Sequence, residues 1–194
     1  KVLNDNAKIA WVKSRNWSQE EITRRGRSCD PLRHSKVLLI GAGALGAPVA
    51  EILVRGGVRD ILVVDPDVTE MGNLVRHPLT MDSLGKSKAK DLCLRLSALS
   101  PHVHAKPFNE TLAEALEGNK TELLAVDFII DCTASNLCLK SLGNLEFAEE
   151  VRFASISVGF NASRLYLFAG SGKTFPDSDF FDSLRPYWEE EIDV

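Results

Sequence analysis

The stretch from Lys36 to Asp67, KVLLIGAGALGAPVAEILVRGGVRDILVVDPD, leaves the chain little choice of fold. The apolar run Val37 to Ile40 reads as a buried strand, and Gly41, Gly43 and Gly46 as a tight turn. An alanine-rich helix follows from about Ala44 to Arg55, stopped by Gly56-Gly57, and a second apolar strand, Ile61 to Val64, ends on Asp65. Continuous aliphatic strands joined by a helix belong to a parallel sheet covered on both faces. Gly41 lets the chain turn off the strand, Gly43 lets backbone N–H groups approach a phosphate, and Gly46 lets the helix lie close on the sheet. The helix start at Ala44 offers free N–H groups and a partial positive charge to an anion. Asp65, about twenty residues past the glycines, is placed to accept hydrogen bonds from ribose hydroxyls. A nucleotide site is expected here.

Strands and helices continue to alternate. Ser87 heads a helix to about Leu99, with Leu92, Leu96 and Leu99 at helical spacing. A weak strand (103–107), a short acidic helix (112–116), a strong strand (128–130) ending on Asp131 and a helix (136–149) come next. Two more strands follow, 151–158 and 164–168, the last alternating as an antiparallel edge strand does. The expected fold is α/β: a doubly wound, Rossmann-like, mainly parallel sheet with helices on both faces and antiparallel strands towards the C-terminal end. In such a sheet ligands bind outside the carboxyl ends of the strands, where Asp65, Asp67 and Asp131 all fall.

Three regions are expected: a polar, partly helical segment (1–30) with a capping box at Ser18 to Glu21, a nucleotide-binding domain (31–170), and an acidic tail or crossover segment (171–194) without clear period. The chain lacks an initiator Met and ends in an acidic stretch, so a domain of a longer protein is expected. At 194 residues and a formal net charge of −4, it has one core's worth of sequence and no basic stripe for nucleic acid. No apolar run is long enough to span a bilayer and no signal-peptide core is visible. Four cysteines without a CxxC pair fit a reduced, cytoplasmic protein.

The segment after Asp65 separates the chemistries. A dehydrogenase needs from this half only the glycines and the ribose acid, and its catalytic groups come from a second domain that this chain has little room for. Here Asn73, Arg76, Lys86 and Lys88 crowd positive charge and donors beside the phosphate turn. That suits a triphosphate, whose leaving pyrophosphate in nucleotidyl transfer needs Arg, Lys and Mg²⁺. An NAD-dependent oxidoreductase is the less favoured alternative.

Five ordered segments, Gly41-Ala-Gly-Ala-Leu-Gly46, Asp65-Pro-Asp67, Gly72-Asn73-Leu-Val-Arg76-His77, Gly85-Lys-Ser-Lys88-Ala89 and Asp131-Cys-Thr133, together resemble the ThiF/MoeB/HesA family of adenylyltransferases, relatives of the ubiquitin-activating enzymes. The resemblance implies ATP- and Mg²⁺-dependent adenylation of the C-terminal glycine of a small ubiquitin-like or sulfur-carrier protein, by a homodimer. It implies that Gly41, Gly43, Ala44 and Gly46 cradle the nucleotide, that Asp65 holds the ribose with Asp67 nearby, and that Asn73 and Arg76 contact phosphates. Lys88 matches the family's phosphate lysine, so Arg76 and Lys88 are the catalytic candidates. An arginine of the N-terminal helix, Arg24, Arg25 or Arg27 here, serves the site, often that of the partner subunit.

The chain departs from the family at Asp131-Cys-Thr-Ala134-Ser135-Asn136. An Asp that binds Mg²⁺ is usual there, and Ala134 and Ser135 carry no carboxylate. Either Asp131 or Asp67 takes the metal, with Asp131 the candidate assigned, or the domain is a weakly active or inactive scaffold. The family's paired CxxC zinc motif is missing. Cys132 is expected to be a buried core residue and Cys29 a surface thiol, neither a nucleophile.

Overall fold

A computed structural model describes residues 12–192. Residues 1–11 of the expected N-terminal segment and 193–194 of the expected tail lie outside that range. Six strands, β1 (Lys36–Ile40), β2 (Asp60–Val64), β3 (His104–Phe108), β4 (Phe128–Asp131), β5 (Val151–Val158) and β6 (Leu165–Gly172), form one sheet in the order β3-β2-β1-β4-β5-β6. β1 pairs in parallel with β2 and with β4, and β5 pairs in parallel with β4. Only β6 runs antiparallel, against β5. The sheet thus grows outward in both directions from β1 and β4, and the order reverses between them.

The helices are α1 (Gln19–Thr23), α2 (Asp30–Arg33), α3 (Gly46–Arg55), α4 (Lys88–Leu99), α5 (Leu112–Leu124), α6 (Asn136–Gly143) and α7 (Asp177–Ile192). Side-chain alternation along the strands sorts them into two layers. Leu38, Ile40, Leu62 and Val64 face α5, α6 and α7 through Leu112, Leu139, Leu142, Phe180 and Leu184. Val37, Leu39, Ile61 and Val63 face α3 and α4 through Ala47, Ala50, Leu92 and Leu96. β1 and β2 are buried on both sides, which is why their sequences are unbroken aliphatic runs.

Several elements differ from their sequence reading. α5 runs on to Leu124 with a kink at Asn119, because Ala115 and Leu123 both find the core. α6 stops at Gly143 rather than continuing to 149, and Phe147 then drops into the core from irregular chain. The acidic, aromatic stretch without clear period forms the end of β6 and the sixteen-residue α7, despite Pro186 inside that helix. Its Phe180 packs edge-on to Phe168 at 5.3 Å between centroids, so aromatic contacts anchor a helix that polar residues disguise.

Candidate nucleotide site

The carboxyl ends of β1, β2 and β4 open into a cleft of about 600 Å³ at the point where the strand order reverses. Gly41, Gly43, Asp65, Asp67 and Lys88 line one side of it. The other wall comes from the start of α5 (Thr111, Leu112) and from α6 (Leu137, Lys140). Sequence reasoning did not reach that wall, because nothing in two ordinary helices a long way down the chain marks them as facing the glycines.

Each glycine has a distinct geometric reason. Gly41 has φ +90°, and a side chain there would press on Thr133 and the Cys132 backbone at 3.0–3.1 Å. A Cβ on Gly46 would lie 1.8 Å from the Gly41 carbonyl oxygen, so only glycine lets α3 begin this close to the strand. At Gly43 a Cβ would meet nothing within 4 Å, and this glycine faces the open cleft. α3 starts without a side-chain cap and without an acidic residue in its first turn, so its positive end is uncompensated by protein.

Two side chains grip the same turn. Asp65 accepts the Ala42 N–H at 2.6 Å on Oδ2 and the Asp67 N–H at 2.8 Å on Oδ1. Burial raises its carboxyl above the usual range, and these backbone bonds act against that shift. His77 lies within 2.5 Å of the Ala42 carbonyl oxygen through Nε2, and its Nδ1 accepts the Leu79 N–H at 3.2 Å. The sequence reading placed His77 in the third of its five segments and gave it no role, since a histidine in an irregular polar loop gives no sign of burial.

Lys88 opens α4, whose Ser87 cap accepts the Lys90 N–H. Its backbone N–H donates to the Asp67 carbonyl, and its Nζ donates to Asp67 Oδ2 at 2.8 Å. The lysine side chain is 11% exposed and the aspartate 64%, so the ammonium is held from inside and the carboxylate faces outward.

The remaining candidates are dispersed. Ala44 and Gly46 sit at the turn behind the cleft lining. Asn73 and Arg76 lie in the crossover loop between β2 and α4 and do not line the cleft: the Asn73 side chain is used in a capping box with Glu70, and Arg76 is exposed. Asp131 is 1% exposed. Its Oδ1 accepts from the Thr133 N–H and hydroxyl, at 3.0 and 2.6 Å, and its Oδ2 accepts from the Ser155 hydroxyl at 3.0 Å. The carboxylate assigned to the metal is therefore a buried brace for the β4 turn, outside the cleft lining. Ala134 sits at φ +52°, and the Ser135 side chain caps α6 by accepting the Cys138 N–H. Cys132, expected in the core, is only partly buried and lines the cleft, with its thiol pushed up to about 12 by burial and by Asp131. Cys29 is exposed, as expected.

Arg24, Arg25 and Arg27 are exposed and lie at the far end of α3. The segment is tied there by Ser28 N–H to the Gly56 carbonyl and by Gln19 Nε2 to the Gly57 carbonyl. Ten residues of α3, about 15 Å, separate that end from the cleft. Among the described residues no helix is long and apolar enough to cross a membrane, and no three His, Cys, Asp or Glu side chains gather as a metal cage.

The profile of the ThiF family matches residues 14–141, which include the glycine turn, the crossover loop and the β4 turn. The chain belongs to the ThiF family. It is 37% identical over 186 residues to the ATP-dependent ubiquitin transferase-like protein Cap2 of Enterobacter hormaechei subsp. hoffmannii, covering 96% of this chain and 31% of Cap2. It is 30% identical to the SAMP-activating enzyme E1 of Haloferax volcanii, over 89% of this chain and 61% of that protein. It is also 30% identical to the molybdopterin-synthase adenylyltransferase of Escherichia coli, over 65% and 50%. This ThiF-family chain therefore spans from about a third to three fifths of these relatives. Escherichia coli MccB, solved with ATP, shares the fold at a TM-score of 0.53 and 19% identity, over 66% of this chain and 38% of MccB.

Proposed function

We propose that this ThiF-family domain binds ATP with Mg²⁺ and adenylates the C-terminal glycine of a small ubiquitin-like or sulfur-carrier protein. The observation that carries the reading is the Lys88 ammonium held in the cleft, on the same rim as the open Gly43 face and near the uncapped start of α3. Together they give a triphosphate a point charge, backbone donors and a dipole. Asp65 already orders the turn, and its spare lone pairs accept from ribose hydroxyls.

The partner's carboxylate attacks the α-phosphorus, an acyl–phosphate bond forms, and pyrophosphate departs. Lys88 and, from the crossover loop, Arg76 neutralise the departing oxygens. Asn73 joins them once its loop closes on phosphate. Of the candidate carboxylates, Asp67 fits Mg²⁺ and Asp131 does not, because Asp67 is exposed in the cleft while Asp131 is buried outside its lining. Asp67 would hold Mg²⁺, which would supply charge stabilisation. Arg24, Arg25 and Arg27 reach a nucleotide only from a second copy, so the active form is a homodimer, working in the cytoplasm.

ATP–pyrophosphate exchange dependent on a carrier protein tests the reading, and Arg76→Ala should abolish it. Stabilisation by NAD and not by ATP in a thermal shift would instead favour the oxidoreductase. The left-handed Ala134, where no carboxylate points to the cleft, favours a second reading as a scaffold. A scaffold shows no Mg²⁺-dependent stabilisation by ATP.

A further inference from the structure

Both backbone polar groups of Ala42 are held by side chains from further along the chain: Asp65 Oδ2 accepts its N–H at 2.6 Å, and His77 Nε2 meets its carbonyl oxygen at 2.5 Å. The other ring nitrogen of His77 accepts the Leu79 N–H at 3.2 Å. An accepting Nδ1 carries no proton, so the ring hydrogen sits on Nε2 and His77 is the donor to Ala42. The ring is 8% exposed and Ala42 is fully buried, so this bond lies on the inner side of the turn. The peptide that joins Ala42 to Gly43 is trans, and in a trans peptide the C=O and the N–H point in opposite directions. With the Ala42 carbonyl fixed inward, the Gly43 N–H is turned outward, on a residue that lines the cleft. Among the described residues nothing accepts from it.

We infer that His77 is a positioning residue of the glycine turn: by holding the Ala42 carbonyl inward, it aims the Gly43 N–H at an anion in the cleft. Glycine makes such a hold necessary. A peptide that leads into glycine turns over at little steric cost, because glycine accepts positive as well as negative φ, and even a Cβ added at Gly43 would meet nothing within 4 Å. The two orientations are chemically opposite. One presents a donor to a phosphate oxygen, and the other presents a carbonyl oxygen that repels it. Asp65 does not choose between them, because through the Ala42 N–H it holds the preceding peptide plane. His77 does, because it holds the plane that contains the Gly43 N–H. His77 is not among the residues that line the cleft, so it acts on a ligand only through this one peptide. That the anion is a phosphate of ATP rests on the proposed function, whereas the orientation of the peptide does not.

In the nucleotide-free wild type, imidazole nitrogen NMR should find His77 as the neutral Nε2–H tautomer at pH 7.5, and a crystal structure should show the Ala42 carbonyl turned inward. His77→Leu keeps apolar bulk and removes the donor, so its Ala42–Gly43 peptide should be turned over or divided between two orientations. His77→Gln supplies an amide N–H to the same carbonyl and should restore the wild-type plane. In titration calorimetry, His77→Leu should bind ATP and inorganic tripolyphosphate about ten- to a hundredfold more weakly than wild type, the worth of one hydrogen bond to a charged group, and adenosine equally well. His77→Gln should bind all three as wild type does. A residue that only props up the fold would lower ATP and adenosine affinity together. An Nδ1–H tautomer in wild type, an unmoved peptide plane in His77→Leu, or a parallel loss of ATP and adenosine binding overturns the inference. Should His77→Leu not fold, the wild-type tautomer and the plane in His77→Gln decide. The expected peptide planes in a protein that binds neither ATP nor tripolyphosphate would keep the role of His77 and overturn the ATP reading.

Discussion

Lys88 Nζ donates to Asp67 Oδ2 at 2.8 Å across the rim of the cleft, a nearly buried cation held by an exposed anion. A phosphate entering the cleft competes with that carboxylate for the ammonium. Lys88→Ala should therefore weaken ATP binding about ten- to a hundredfold, the worth of one charge-assisted hydrogen bond of about 1.5–3 kcal/mol. Asp67→Asn keeps the side-chain shape and should leave ATP binding without metal unchanged or tighter, while abolishing its enhancement by Mg²⁺. Titration calorimetry with and without Mg²⁺ checks both.

Gly43 and Gly46 should respond oppositely to the same methyl group. Gly46→Ala places a Cβ on the Gly41 carbonyl, and should cost about 1–3 kcal/mol or more in urea unfolding as α3 is pushed from the sheet. Gly43→Ala meets no neighbour, so the unfolding midpoint should stay within about 0.5 kcal/mol of wild type. Because Gly43 lines the cleft, that variant should nevertheless lose most of its thermal stabilisation by ATP.

Ala134 carries a strain that glycine does not. A left-handed conformation costs a residue with a Cβ about 1–2 kcal/mol, partly offset by the greater freedom of glycine in the unfolded chain. Ala134→Gly should stabilise the domain by about 0.5–1 kcal/mol. Ala134→Val, β-branched at the same φ, should destabilise it. Parallel denaturation curves measure both.

Cys132 lies in the cleft and is still a poor nucleophile. With its thiol pushed up to about 12, the reactive thiolate is scarce at pH 7.5. Iodoacetamide followed by mass spectrometry should label the exposed Cys29 well before Cys132, and Cys132→Ala should leave pyrophosphate exchange intact.

The strands β1 and β2 were legible because burial on both faces demands the unbroken apolar runs that Val37 to Ile40 and Ile61 to Val64 display. Gly46 was legible for a related reason: a close helix–strand approach has one solution among residue types. α7 was not, because its anchor is a set of rings at the tertiary contact between Phe168, Phe175 and Phe180, and helical period is weak around Pro186.

By itself the sequence determined the doubly wound sheet, the glycine turn and the acids at the strand ends, since periodicity and glycine spacing are local properties of the chain. Only the tertiary structure decided which acid is free. Asp67 and Asp131 stand alike in sequence, each at a strand end, but Thr133 and Ser155 consume one and the cleft exposes the other. The same holds for His77, buried against Ala42, and for the arginines that follow α1, carried to the far end of α3. Whether a polar side chain is spent or available depends on partners brought together by folding, and its own position in the chain does not encode them.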